Sequence, residues 1–205
     1  MNRRIIIAAK ASAVMLACAA ISAPDRLAAA VTAPEAGTRG AYVTQIGDEH
    51  RATVIQDNPG MLAIVHQQGA RNDATLIQSG VGRQLASLRQ LGEDNFAMVA
   101  QDGLAASHLV LLQQGVGNSA RAVQSSTLLG NTAAMTQIGS GNDMSLVQEG
   151  DGNDASLLQA GDDNRMAATQ NGSGNMLTWM QYGHGLSQLD VTQGGGQTML
   201  ITQTR

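Results

Sequence analysis

Thiols, lysines, aromatics and prolines are all scarce in this 205-residue chain, and each shortage excludes something. The single cysteine, Cys18, lies in an apolar N-terminal stretch. Once that stretch is removed, no disulfide can staple the fold, so a secreted chain would need another source of rigidity. The single lysine, Lys10, lies in the same stretch; from residue 31 onward eight arginines face fifteen Asp and Glu, a net charge of −7. An acidic, lysine-free surface lacks the basic footprint nucleic acid requires, so no nucleic-acid partner is expected. It suits a chain kept soluble by self-repulsion until it assembles. Aromatics make up 2% and charged residues 14% of the chain. The first figure argues against an ordinary globular core, the second against a charge-driven disordered chain. Against 3 prolines stand 24 glycines, and they recur at regular intervals.

The N-terminus differs from the rest. Arg3 and Arg4 open a run from Ile5 to Ala23 that is apolar or small except at Lys10, and Ala28 and Ala30 offer a small-residue cleavage site. This reads as a secretory signal peptide over residues 1–30. A permanent membrane helix is the plainer alternative, but Lys10 shortens the clean apolar run to Ala11–Ala23, too short to span. Met15-Leu16-Ala17-Cys18 approximates a lipoprotein cleavage site with its Leu one place out of register. Residues 31–40 follow as a linker, either a flexible tail or an address for an export channel.

From residue 41 to 205 one phrase repeats, cleanest as Ala155-x-Leu157-x-Gln159-x-Gly161-x-x-Asn164. Its glutamines form two alternating sets. One is Gln45, Gln67, Gln90, Gln113, Gln137, Gln159, Gln181 and Gln203; the other is Gln56, Gln78, Gln101, Gln124, Gln148, Gln170 and Gln193. Two and four residues before every one of the fifteen the residue is apolar, and two residues after it is Gly in twelve. Apolar, apolar, Gln at i, i+2, i+4 puts three side chains on one face of a β-strand, and the Gly marks a turn. A helical reading of the 11-residue step must tolerate a Gly in nearly every unit, each costing roughly 0.8–1 kcal/mol relative to Ala, and is set aside.

Within the first set, Asn72, Asn95, Asn118, Asn142 and Asn164 follow Gln67, Gln90, Gln113, Gln137 and Gln159 by five residues. After the alternate glutamines that place holds Met61, Arg83, Ala106 and Leu129, and only later Asn153 and Asn175. The true unit is therefore a strand-turn-strand pair about 22 residues long. The spacing predicts an all-β protein, a β-solenoid of about seven coils whose strands stack into two parallel in-register sheets. Inward Gln side chains would form ladders, each amide donating to one neighbour and accepting from the other. No end segment resembles a cap, so the open ends predict head-to-tail growth.

The run Gln67-x4-Asn72-x5-Gln78 and its four successors resemble the core of the curlin repeat, and the resemblance extends over residues 41–205. It implies a fibre subunit of the curli kind: secretion through a dedicated outer-membrane channel, nucleated assembly outside the cell, and functional amyloid in a biofilm matrix. Implied partners are further copies of the chain, other curlin subunits or a nucleator, and the export channel; no cofactor is implied. There are departures. Ser107 keeps the leading Ser of the repeat, whereas Asn131, Asn153 and Asn175 replace it; His50 and Met61 stand at turns of the first coil, and Leu186 replaces the last turn Asn. Main subunit, nucleator and accessory protein all stay open.

Other chemistry is weakly signalled. His50, His66, His108 and His184 fall in no ligand spacing and read as solvated strand or loop residues. Gly139-Ser-Gly-Asn-Asp143 and Gly150-Asp-Gly-Asn-Asp154 are similar to calcium-binding nonapeptides, but the step is wrong for them. Nothing concentrates nucleophiles or paired carboxylates, so no enzyme is expected. Outward charges such as Asp57, Arg71, Asp73, Arg83, Arg89, Asp162 and Asp163 read as solvated surface or as residues that delay premature stacking. The rival to a fibre is a monomeric solenoid binding ice, carbohydrate or calcium on a flat face, but Thr44, Thr53, Thr75 and Thr136 make no continuous row.

Overall fold

Inward side chains at every second position leave the chain one way to bury them: fold back after each strand and stack. The computed structural model, which describes residues 6–9 and 39–205, does this throughout. Among these residues there is no helix; the strands are β1 (Ile6–Ala9), β2 (Gly40–Asp48), β3 (Arg51–Gln56), β4 (Leu62–Ala70), β5 (Asp73–Gln78), β6 (Leu85–Glu93), β7 (Phe96–Gly103) and β8 (His108–Val116). They continue as β9 (Ser119–Ser126), β10 (Thr132–Ser140), β11 (Asp143–Glu149), β12 (Asp154–Asp162), β13 (Arg165–Asn171), β14 (Met176–His184), β15 (Asp190–Gly194) and β16 (Thr198–Thr204). One sheet holds β2 to β16 in even order, the other β1 to β15 in odd order. Every pairing is parallel, and each ladder Gln sits opposite its equivalent, as with Gln90 on Gln113 and Gln148 on Gln170. The predicted β-solenoid of about seven coils with two parallel sheets is the observed fold.

The two strands of a coil run in opposite directions across a thin core. The Ala of one strand therefore faces the Gln of the other, and the small side chain leaves room for the long amide. Val54, Leu76, Val99, Leu111, Leu146, Leu157 and Trp179 fill the middle at 0–1% exposure. Ala holds the place four residues before the Gln in nine of the fifteen repeats, and Leu109, Met144, Met166, Leu177, Leu189 and Met199 hold it in the rest.

Four expectations are corrected. The even-sheet glycines are not in the turn itself: Gly47, Gly69, Gly92, Gly115, Gly139, Gly161 and Gly183 lie inside or at the end of their strands with φ of +112° to +132°, whereas Gly80, Gly150, Gly172 and Gly195 lie past the ends of odd-sheet strands, as expected. A Cβ on Gly92 would stand 2.1 Å from the Gly115 carbonyl oxygen of the next coil. Close stacking of backbone on backbone, not turn chemistry alone, demands Gly there. Leu189, in register with the inward apolar residues, is instead 46% exposed, because β15 begins one residue later after a wider loop. His50 is not a solvated loop residue but is 6% exposed. Finally, one sheet edge is covered in the full chain: β1 lies parallel along β3, pairing Ile6 with Thr53 through Ala9 with Gln56. Apart from that strand, the leader at 1–30 falls outside the described residues, as does the linker at 31–38.

Candidate functional site

Stacking in register turns each repeated side chain into a column along the solenoid axis. In the even sheet, Nε2 of Gln45 donates to Oε1 of Gln67 at 2.7 Å, Gln67 to Gln90 at 2.8 Å, and Gln90 to Gln113 at 2.9 Å. Gln113 donates to Gln137, Gln137 to Gln159 and Gln159 to Gln181, each at 2.9 Å, and Gln181 to Gln203 at 2.6 Å. In the odd sheet the same direction holds from Gln56 through Gln78, Gln101, Gln124, Gln148 and Gln170 to Gln193, at 2.7–2.8 Å. From Gln56 to Gln193 each amide also donates to backbone: Gln113 reaches the carbonyls of Phe96 at 2.9 Å and Asn118 at 3.1 Å. Among the described residues no buried side-chain N or O lacks a partner. That is the condition under which a buried polar column is tolerable at all.

The turn asparagines form a third column in the opposite sense. Nδ2 of Asn95 donates back to Oδ1 of Asn72 at 2.9 Å, and Asn118, Asn142 and Asn164 repeat the bond at 3.0, 3.0 and 3.1 Å. The same Nδ2 donates to the glycine carbonyl of the next coil, as from Asn118 to Gly139 at 2.8 Å. So the Asn holds the Gly stack and the Gly stack makes room for the Asn. His50 heads this column: its Nδ1 accepts from the Asn72 N–H at 3.3 Å, the part an Asn oxygen plays elsewhere. The ring does the work of an amide, which is why it is buried. Leu186 ends the column, its N–H donating to Asn164 at 3.1 Å while its side chain offers no acceptor.

The opposite turn carries a fourth column that fixed-offset reading places wrongly. Met61 does occupy it, but Arg83, Ala106 and Leu129 are exposed, and the buried positions are Gln84, Ser107 and Asn131, then Asn153 and Asn175. Backbone N–H groups link them: Ser107 to Gln84 at 3.0 Å, Asn131 to Ser107 at 3.1 Å, Asn153 to Asn131 at 2.9 Å, Asn175 to Asn153 at 3.1 Å. The column ends on Gln197, whose N–H donates to Asn175 at 3.2 Å.

Asn-x5-Gln-x4-Asn-x5-Gln-x4-Asn-x5-Gln, from Asn142 to Gln170, thus places four columns at once. Residues 142–172 match the curlin associated repeat. That curlin segment begins on the Asn column and ends just past Gln170; it spans three strands, and the same geometry continues through the coils on either side. No curated protein and no solved structure matches the chain.

Outside the columns the charges pair between coils. Arg71 spans to Glu93 at 3.0 Å and to Asp94 at 2.7 Å; the Asp94 hydrogen bond raises the guanidinium pKa, and the same bond lowers that of Asp94. Asp151 accepts from the N–H groups of Thr127, Leu128 and Leu129 at 2.7, 2.8 and 3.3 Å, and these donors, Leu128 and Thr127 foremost, hold its pKa down to about 2. Burial, then the charge of Arg89, lowers the pKa of His66. No three His, Cys, Asp or Glu residues among those described gather where a metal could be held.

Proposed function

We propose that this chain is a structural subunit of an extracellular, curli-like fibre that grows by stacking coil on coil, serving adhesion and biofilm matrix. The observation that carries the reading is the polarity of the two Gln columns. At the β2 and β3 end, once β1 has left with the leader, Gln45 and Gln56 present an oxygen to an incoming donor. At the other end, Gln203 and Gln193 present an N–H. Donor at one end and acceptor at the other make two copies complementary head to tail, and backbone edges extend the same match. The curlin repeat at 142–172 supports the same reading.

Within this reading the leader sends the chain out of the cytoplasm and is removed with β1, baring the β3 edge. An outer-membrane channel then exports it, and a nucleator or other curlin subunits start growth. The test is to incubate the secreted chain at neutral pH and record fibre diffraction and seeding. Reflections near 4.7–4.8 Å and ~10 Å, with lag-free growth on preformed seeds, are the expected result. A chain that stays monomeric at high concentration overturns the proposal and leaves a solitary solenoid.

A further inference from the structure

The number of strands is odd once the leader strand is set aside. The described residues form two eight-stranded sheets; with β1 removed alongside the leader, as proposed above, β2 to β16 leave the even sheet eight strands and the odd sheet seven, seven coils and one half. This has a geometric consequence for the fibre proposed above, on which it rests. If the next copy docked in phase, with its β2 on β16, the odd sheet would lack a strand between β15 and the new β3. Gln193 and the new Gln56 would then be two strand spacings apart, roughly 9.6 Å, and their amides could not meet.

We infer that successive copies in the fibre are related by a half turn about the axis, so that β2 of one copy pairs with β15 of the last and β3 pairs with β16. Both sheets then continue without a vacancy, and strand directions stay parallel, because the half turn reverses the new strands as it exchanges the sheets. Gln193 donates to the new Gln45 and Gln203 to the new Gln56. The two sheets accept this exchange because their inward triplets are alike: Ala41, Val43, Gln45 in β2 and Ala52, Val54, Gln56 in β3.

The turn columns give an independent argument. One column opens on His50 and ends on Leu186; the other opens on Met61 and ends on Gln197. Docking in phase sets each column against its own start, Leu186 towards His50 and Gln197 towards Met61, polar against apolar at both turns. The half turn swaps them. His50 then lies one strand spacing above Gln197, whose Oε1 accepts the Gly194 N–H at 3.0 Å and keeps a second lone pair for the His50 N–H, as Gln84 accepts that of Ser107. Leu186 and Met61 share the other side, where the chain end at Arg205 meets the next chain's Gly40. Met61 needs no acceptor from beneath, because its N–H already donates to the Asn58 carbonyl at 3.3 Å.

The experiment uses the secreted chain with its leader removed, checked by N-terminal sequencing, as two pairs of single-cysteine variants copolymerised and oxidised. Thr202→Cys with Ile55→Cys reports the half turn; Thr202→Cys with Thr44→Cys reports the in-phase joint. All three side chains point outward, and paired Cα atoms about 4.8 Å apart suit a disulfide. Cross-linked peptides identified by mass spectrometry are expected for the first pair, about tenfold over the second, since the wrong sheet lies more than ~10 Å away. Electron microscopy of unsubstituted fibres gives a second reading: a rise of about 36 Å per subunit with near-180° rotation, from seven and a half spacings. Cross-linking of the Thr202→Cys and Thr44→Cys pair, or a rise of about 38 Å without rotation, overturns the half turn while leaving the fibre standing. Absence of fibres from the parent chain overturns both.

Discussion

A single atom exchange tests whether the amide column holds the coils together. Gln113 is fully buried; its Nε2 donates to three oxygens, those of Phe96, Asn118 and Gln137, at 2.9, 3.1 and 2.9 Å. Its Oε1 accepts from Gln90 at 2.9 Å. In Gln113→Glu the shape is kept, but an ionised carboxylate would aim an oxygen at three acceptors in a dry interior. The fold therefore favours the protonated acid, and buried Glu pKa values rise from about 4.3 to as much as ~8–9. Below about pH 4.3 both folded and unfolded chains carry the proton, so the variant loses only the missing donor, roughly 1–3 kcal/mol. As pH rises past that value the unfolded chain ionises and the folded one does not, and the penalty grows until the folded pKa is passed. Between pH 4.3 and 7.4 it adds about 4 kcal/mol at 1.36 per unit. With a guanidinium slope of about 4 kcal/mol per molar, the unfolding midpoint falls by about 1 M over that range. Fluorescence of Trp179, buried and bonded to Gln203 at 3.0 Å, follows the transition. The exposed neighbour variant Gln114→Glu corrects for the parent's own pH dependence. Midpoints of the two variants that move together from pH 4 to 7.4 would refute the argument.

Further outcomes follow from the same geometry. Gly92→Ala forces a Cβ to within 2.1 Å of a backbone oxygen and should abolish folding or assembly by circular dichroism; Gly117→Ala, with nothing within 4 Å, should cost only about 1–2 kcal/mol for its left-handed φ of +66°. His50→Asn restores the column's usual acceptor and should leave the unfolding midpoint unchanged or higher, the gain being about 1 kcal/mol; a large loss would mean the ring has another role. Asp151 has its pKa lowered to about 2, so the stability it lends the Thr127–Leu129 loop is full above about pH 3.8 and lost as pH falls through about 2. Proteolytic nicking by an acid protease should rise at that loop over that window, and Asp151→Asn should raise it at pH 5. Arg71→Ala removes two exposed ion pairs and should leave the unfolding midpoint nearly unchanged, with any shift confined to low salt.

The strand assignment and the inward ladder were legible because strand side chains alternate strictly and the Gln register survives every insertion. The Asn column was legible for the same reason, its five-residue offset from Gln being constant from Asn72 to Asn164. The opposite turn was legible only in part. One or two extra residues push its buried position from the fifth place after the Gln to the sixth at Gln84 and the seventh at Asn131; the repeat's leading-Ser place aligned Ser107, Asn131, Asn153 and Asn175, and stacking in space adds Gln84 to them. His50 was misread because a ring nitrogen that accepts like an amide oxygen has no signature in composition. Gly was recognised as necessary but for too local a reason: what forbids a side chain at Gly92 is the carbonyl of a residue 23 positions away, Gly115. Leu189 kept the pattern after the structure had abandoned it, since a wider loop precedes β15.

The two kinds of amide column run in opposed senses. Gln nitrogens point toward the C-terminal coils and their oxygens back; Asn oxygens point toward the C-terminal coils, while each Asn nitrogen is shared between the Asn oxygen behind and the glycine carbonyl ahead. A stack of identically oriented amides is an array of aligned dipoles, and its electrostatic moment would mount with every added layer. Here the two Gln amides of each coil are opposed in part by the turn Asn, so each layer adds less than the Gln columns alone would. A long polymer built this way carries a smaller dipolar charge at each tip than the Gln columns alone would leave there.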